Sequence, residues 1–178
     1  MNICIFVGAR PNFIKIAPIV RAIDKAKAEG KEIGSSLVYA GCEDDPTLEP
    51  SLFDDLQIGR PDVCLGVDCV NLNELTGQVM SAFERYLQEH STDVVIVVDD
   101  LASTMAAAIV TKKQGILLAH LVAGTRSFDI SMPKEINRLV IDGLSDLPVT
   151  AGIGGNSAAT REGAESSKIY MVGNILMD

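Results

Sequence analysis

Residues 93–124 read DVVIVVDDLASTMAAAIVTKKQGILLAHLVAG, and their order decides the fold. DVVIVV is a β-branched run too short for a helix, so it reads as a strand buried on both faces. Asp99 and Asp100 follow at once, and then ASTMAAAIVTKK, whose alanines favour a helix. Gly115 ends that stretch, and ILLAHLVAG, 116–124, is a second apolar strand broken only by His120. Two strands joined through a helix form a βαβ unit, in which the strands are parallel.

The alternation continues outward. NICIFVG, 2–8, reads as a buried strand, and Pro11 opens a helix carrying Phe13, Ile14, Ile16, Ala17, Val20 and Ile23 at helical spacing. Gly30 closes that helix, and Pro18 inside it predicts a kink unless the helix starts there. A strand is expected at about 33–40, followed by an acidic surface loop over 41–51, GCEDDPTLEPS. Asn71 or Asn73 caps a helix with an apolar stripe at Leu72, Leu75, Val79, Phe83, Tyr86 and Leu87. It ends near His90, whose place at the negative end of a helix suits a structural role better than a catalytic one.

Downstream, PKEINRLVIDGLSD, 133–146, is a helix with proline at its first position and Glu135 in its first turn. A short strand near 148–150, a Gly-rich bend GIGGNS at 152–157, a helix to Gly163 and a strand KIYMVG at 168–173 complete the chain. The expectation is a single α/β domain over 1–178. It is a three-layer α/β/α Rossmann-like sandwich around a parallel sheet of six or seven strands, with ligands beyond the C-terminal strand ends.

Composition agrees with this. Of 178 residues, 47% are hydrophobic and 22% charged, which excludes a disordered chain and a coiled coil. Aromatic residues make only 4% and Trp is absent, so Ile, Val, Leu, Ala and Met fill the core. Fifteen basic against 24 acidic side chains leave a net charge of −9, which argues against nucleic acid or an anionic membrane as partner. There is no apolar run of the roughly 18 residues a membrane span needs, and MNICIFVGARP is no basic leader, so a cytoplasmic protein is expected. Cys4, Cys42, Cys64 and Cys69 form no CxxC pair and His90 and His120 lie far apart. Reduced thiols are therefore expected, with no metal and no cofactor.

Chemistry belongs at the strand ends. GARPNFIK follows the first strand: Gly8 lets the backbone turn, Pro11 starts the helix, and Arg10 and Lys15 stand near its free amides, a setting for phosphate or carboxylate. After the strand at 93–98, Asp100 is placed to cap the next helix, with Ser103 and Thr104 in the same turn. After the strand at 116–124, a polar loop carries Arg126, Ser127 and Asp129. GIGGNS holds two glycines of a dinucleotide fingerprint but has Ser157 in the third place, so it reads as a bend.

Taken in order, GARPNFIKIAPIVRAI, FDDLQIGRPDVCLGV, LTGQVMSAFERYL, the run from VVDDLAST to NRLVIDGLSD, and KIYMVGNILMD resemble the non-hydrolysing UDP-N-acetylglucosamine 2-epimerases. The resemblance spans nearly the whole chain. It implies one of two Rossmann-like halves of glycosyltransferase-B type, the N-terminal one, with the nucleotide sugar in the cleft between halves. It also implies the family's reaction, interconversion of UDP-GlcNAc and UDP-ManNAc by elimination and re-addition of UDP. Asp100 matches one of the family's acids; with Arg138 it makes the catalytic pair that the resemblance implies, and Arg10, Lys15 and Glu135 are the implied substrate-binding residues.

The departures sit at the same strand ends. Val122 stands where the family has a glutamate, Lys134 replaces a glutamate after the proline, and Gly41 and Cys42 replace a glutamine–histidine pair. Asp99 replaces a glycine. The expected activity of the chain alone is therefore nil, with UDP or UDP-GlcNAc bound weakly and a C-terminal-half partner chain or a homodimer as candidate assemblies. The alternative readings are a catalytically dead or engineered scaffold and an unrelated dinucleotide-binding module.

Overall fold

The computed structural model describes residues 1–150 and the strand Tyr170–Met171. Along the chain run β1 (Asn2–Val7), α1 (Arg10–Ala28), β2 (Gly34–Tyr39), α2 (Pro50–Leu56), β3 (Val63–Cys64) and α3 (Leu72–Glu89). Then come β4 (Val94–Val98), α4 (Ala102–Lys113), β5 (Leu117–Ala123), α5 (Pro133–Leu144), β6 (Leu147–Thr150) and β7 (Tyr170–Met171). The strands form one sheet, all neighbours parallel, in the order β3-β2-β1-β4-β5-β6-β7. The chain winds outward from β1 to β3 and then restarts on the other side of β1 with β4. Connections leaving β1 and β4 thus run in opposite directions, which opens a crevice at their C-terminal ends.

Alternating side chains bury both faces. Cys4, Phe6, Val95, Val97 and Leu118 pack on one face against Val79 and Phe83 of α3, Ala106–Ala108 of α4 and Ile141 of α5. Ile5, Val7, Leu37, Tyr39 and Val98 pack on the other against Phe13 and Ile16 of α1 and Leu52 and Phe53 of α2. Hence the three layers expected from the sequence. Each large core side chain contributes roughly 1.5–3 kcal/mol by leaving water.

Several local expectations are met and several are corrected. Asn71 caps α3, its side chain accepting from the amides of Asn73 and Glu74, and His90 is its C-cap residue. The His90 Nδ1 meets the Tyr86 carbonyl at 2.9 Å, and its ring stacks on Tyr86 at 4.2 Å. Leu72, counted in the apolar stripe, is exposed. Pro18 lies inside α1, which begins at Arg10 and is held to the sheet by Phe13, Ile16, Ala17 and Ile23.

The stretch 41–51 is not loop to its end, because α2 begins at Pro50; two prolines and four acids hid a seven-residue helix that exists because it buries Leu52 and Phe53. The Phe53 ring meets Phe13 edge-on at 5.3 Å. The two-residue β3, paired only with β2, carries too little pattern to be read in advance. All four cysteines are free, and burial pushes the Cys4 thiol far up. The bend GIGGNS, the helix to Gly163 and the ending VGNILMD lie outside the described residues, and of the last expected strand only Tyr170–Met171 is described.

Gly8 has a different reason from the one its sequence suggests. Its φ is not in the left-handed region; a Cβ there would lie 2.1 Å from the Ser103 hydroxyl and 3.1 Å from a Leu101 methyl. Glycine lets the end of β1 approach the first turn of α4. Gly8→Ala is therefore expected to destabilise the chain by roughly 1–3 kcal/mol, with Ser103→Ala recovering part of the loss. Urea unfolding midpoints of the single and double variants check this; a neutral Gly8→Ala would refute the close-approach reading.

Candidate functional site

A cavity of about 330 Å³ opens where the connections after β1, β4 and β5 meet the first turns of α5. Lys15, Lys134 and Arg138 line it opposite Asp99, Asp100 and Asp142. Cations and carboxylates are balanced, and most are already joined.

From β1 the chain passes through Gly8 into α1, with Pro11 in the opening positions. The Gly8 amide donates to the Asn12 side-chain oxygen at 2.9 Å, and the Asn12 amide group donates to Asp99 at 3.0 Å. One turn on, the Lys15 ammonium lies 2.6 Å from the other Asp99 oxygen. Arg10, at the start of the same helix, points outward, exposed and away from the cavity lining, with no carboxylate partner among the described residues.

At the end of β4 the backbone turns through Asp99, whose φ of 64° is left-handed. Asp is one of the few side chains that tolerate this. Asp100 does not cap α4, as the sequence suggested; the N-cap position is Leu101 and has no side-chain cap. Its carboxylate turns instead to α5, where Arg138 Nε and Nη2 both approach one oxygen at 2.8 Å and Lys134 stands 4.0 Å from the other. Asn137 donates to the Asp100 carbonyl at 2.9 Å. A guanidinium held at two nitrogens is the stronger competitor for a carboxylate than a helix amide.

Glu135, in the first turn of α5, is 1% exposed. It accepts from the Ser127 amide and hydroxyl, the Phe128 amide and Arg138 at 2.9 to 3.2 Å. Burial works to raise its pKa, but these donors prevail and hold it down to about 2 from an ordinary 4.5. Glu135 thus pins the β5–α5 loop and one edge of Arg138 rather than facing the cavity. Asp129 stays local, accepting from the Ser131 amide and hydroxyl.

Beneath the cavity lies a cluster whose members no local pattern along the chain brings together. Asp142 accepts from His120 Nδ1, from the Gly124 amide at 2.8 Å and from Arg126 at 2.7 Å. Arg126, expected on a polar loop, has a side chain only 2% exposed. Burial works to raise the Asp142 carboxyl, and the hydrogen bond and charge of His120, with the Gly124 and Arg126 donors, hold it below the usual range. His120 Nε2 meets the Asp99 carbonyl at 2.8 Å. Both ring nitrogens of His120 are thus engaged, one by the Asp142 carboxylate and one by a backbone carbonyl. Val122, at a break in the β5 register, has a φ of 64° and also lines the cavity.

Of the five residues singled out in the sequence, Lys15, Asp100 and Arg138 converge on the cavity, Glu135 buttresses it and Arg10 stands apart. Asn12, His120, Asn137 and Asp142 were missed. Only His120 carried a signal, as the one polar break in an apolar strand. A second cavity, of about 410 Å³, lies across Gly8 and is lined by Tyr39, Gly41, Cys42 and Asp45. There the Tyr39 hydroxyl donates to Asp45, and burial with this bond pushes the Tyr39 phenol well above the usual tyrosine range. Among the described residues no group of His, Cys, Asp and Glu is arranged to hold a metal ion.

A family model described as UDP-N-acetylglucosamine 2-epimerase matches residues 25–178. The UDP-N-acetylglucosamine 2-epimerase of Methanocaldococcus jannaschii is 33% identical over 178 residues, covering 100% of this chain and 47% of that protein. The UDP-2,3-diacetamido-2,3-dideoxy-D-glucuronate 2-epimerase of Pseudomonas aeruginosa is 32% identical over 183 residues, covering 100% of this chain and 50% of the other. The crystal structure of the Methanocaldococcus enzyme in complex with UDP-GlcNAc and UDP superposes with a TM-score of 0.87 at 32% identity, over 98% of this chain and 47% of that one. The chain therefore spans about half the length of the relatives it matches.

Glu135 sets a pH dependence. Its folded pKa, about 2, lies below the ordinary 4.5, so its contribution to stability is full above about pH 4.5 and is lost as pH falls toward 2. Urea midpoints of the wild type are expected to fall through this window. Glu135→Gln is expected to be less stable at neutral pH and to show a flatter profile between pH 4.5 and 2. Parallel profiles for the two would remove the carboxylate from this role.

Proposed function

The chain belongs to the UDP-N-acetylglucosamine 2-epimerase family, and we propose that it forms the N-terminal half of a nucleotide-sugar cleft that binds a UDP-sugar weakly and does not epimerise it unaided. The observation that carries this is the convergence of Lys15, Asp100 and Arg138 on one cavity at the C-terminal strand ends. Lys15 lines the cavity and supplies positive charge for a diphosphate, to which Arg10, exposed outside the lining at the start of the same helix, adds at longer range. Of the described carboxylates that line the cavity, Asp99 is held by Lys15 and Asn12 and Asp142 by three donors, so Asp100 is the one assigned to move a proton; Arg138 orients it, and Glu135 orients Arg138.

Inversion at C2 requires the proton to leave one face of the sugar ring and return to the other, while UDP departs from C1 and rejoins it. One carboxylate cannot serve both faces. Val122 offers no proton, Lys134 is no carboxylate, and Asp142 is already engaged by three donors. The second acid–base group and the other wall of the cleft would have to come from a further domain or a partner chain. Phe128 and Ile130, 70% and 73% exposed beside the cleft, are consistent with a surface that such a partner covers. A homodimer is the other assembly this reading allows. The family membership does not favour a scaffold with no nucleotide-sugar ancestry, or a dinucleotide-binding module. No described helix is long and apolar enough to cross a membrane, and the reading places the protein in the cytoplasm.

Losing a general acid or base lowers a rate by about 10² to 10⁴, and losing a wall of the cleft removes positioning as well. Incubation of the chain with UDP-GlcNAc in deuterated water is expected to yield neither UDP-ManNAc nor deuterium at C2; either product above a protein-free control would overturn the proposal of inactivity. Two or three charge-assisted contacts, less ordering costs, imply a dissociation constant for UDP of about 1 mM or weaker. In an NMR titration, shifts are expected around Lys15 and Asp100 and are expected to weaken in Arg10→Ala. Shifts confined to other regions would refute the site.

A further inference from the structure

The Lys15 ammonium, which lines the cavity from α1, is already in contact with a carboxylate. Asp99 lies 2.6 Å from it, and their side chains are 17% and 24% exposed, so the pair is partly withdrawn from water. The second Asp99 oxygen takes the Asn12 amide at 3.0 Å. The backbone is held too, with the Asp99 carbonyl on His120 Nε2 at 2.8 Å. All this happens at a φ of 64°, a conformation a side chain adopts at some cost in strain and keeps only where its surroundings enforce it. A carboxylate fastened at both oxygens, on a strained turn, inside a cavity, has the position and charge of a bound anion.

We propose that Asp99 is a built-in competitor for anionic ligands: its carboxylate occupies Lys15 and Asn12, and a phosphoryl group must displace it to enter the cleft. This rests on the reading that the cleft takes a nucleotide sugar, and it adds the residue that limits affinity for the diphosphate. The competitor is intramolecular, so its effective concentration is high and an incoming anion gains only the difference between two similar ion pairs. The displaced carboxylate would also remain near the ligand's negative charge. Lys134 and Arg138 offer no easy substitute, since both face Asp100.

The test is an NMR titration of the full chain with inorganic pyrophosphate, UDP and uridine, in the wild type, Asp99→Asn, Asp99→Gly and the double variant Asp99→Asn/Lys15→Ala. Asn and Gly both tolerate the left-handed turn, so folding is expected to survive. Each single variant is expected to bind pyrophosphate and UDP about tenfold more tightly, with uridine unchanged and the gain abolished by Lys15→Ala. In the wild type, saturating pyrophosphate is expected to shift the Asp99 carboxyl and Lys15 ε-carbon resonances as the pair separates. An unchanged or lower pyrophosphate affinity in Asp99→Asn, a gain that survives Lys15→Ala, or an Asp99 carboxyl that stays still on saturation overturns the proposal. UDP binding that exceeds pyrophosphate binding but ignores Asp99 leaves the nucleotide-sugar reading intact and removes the competitor. UDP binding that never exceeds pyrophosphate binding, with the Asp99 effect present, keeps the competitor and removes the nucleotide reading.

Discussion

The buried carboxylate of Asp142 is the interaction on which the cleft depends. It joins α5 to β5 through His120, the Gly124 amide and Arg126, and His120 passes the connection on to the end of β4 through the Asp99 carbonyl. Three elements are thereby held in one geometry. A carboxylate removed from water is costly unless it is paired and hydrogen-bonded, and this one has three donors, so the contact has little freedom to vary. Because α5 is fixed here, its first turns are delivered to the cleft at a set angle, and Lys134, Glu135, Asn137 and Arg138 reach their partners.

The cleft that results is electrostatically closed. Lys15 is matched by Asp99, Arg138 by Asp100 and Glu135. Strain is concentrated at the same place, in the left-handed turns at Asp99 and Val122. Val122 is β-branched, a side chain for which this conformation is an outlier, and it is held by the irregular pairing of β5 with β6. Strand ends that turn sharply outward open the crevice, so the strain and the cavity have one origin.

Much of the architecture was legible because it follows from periodicity and punctuation. VVIVV, buried on both faces, and the stripe Val79, Phe83, Tyr86, Leu87 declare a strand and a helix whatever their neighbours do. α2 and β3 were not legible, since neither has a pattern of its own: α2 exists because Phe53 finds Phe13, and β3 because β2 has an open edge. Asp100 was read as a cap by local logic. That local option lost to a guanidinium 38 residues away, which no window along the chain contains.

The sequence by itself determined the layers, the parallel character of the sheet, the C-terminal strand ends as the place of the cavity, and, through motifs from GARPNFIK to PKEINR, the family. Only the tertiary structure decided which charges cancel. Lys15 and Asp99 are 84 residues apart, and His120 and Asp142 are 22 apart. Backbone hydrogen bonds and apolar burial act on short-range patterns that any stretch of chain displays. An ion pair depends on distance in space and on exclusion of water, and neither exists until the sheet has closed.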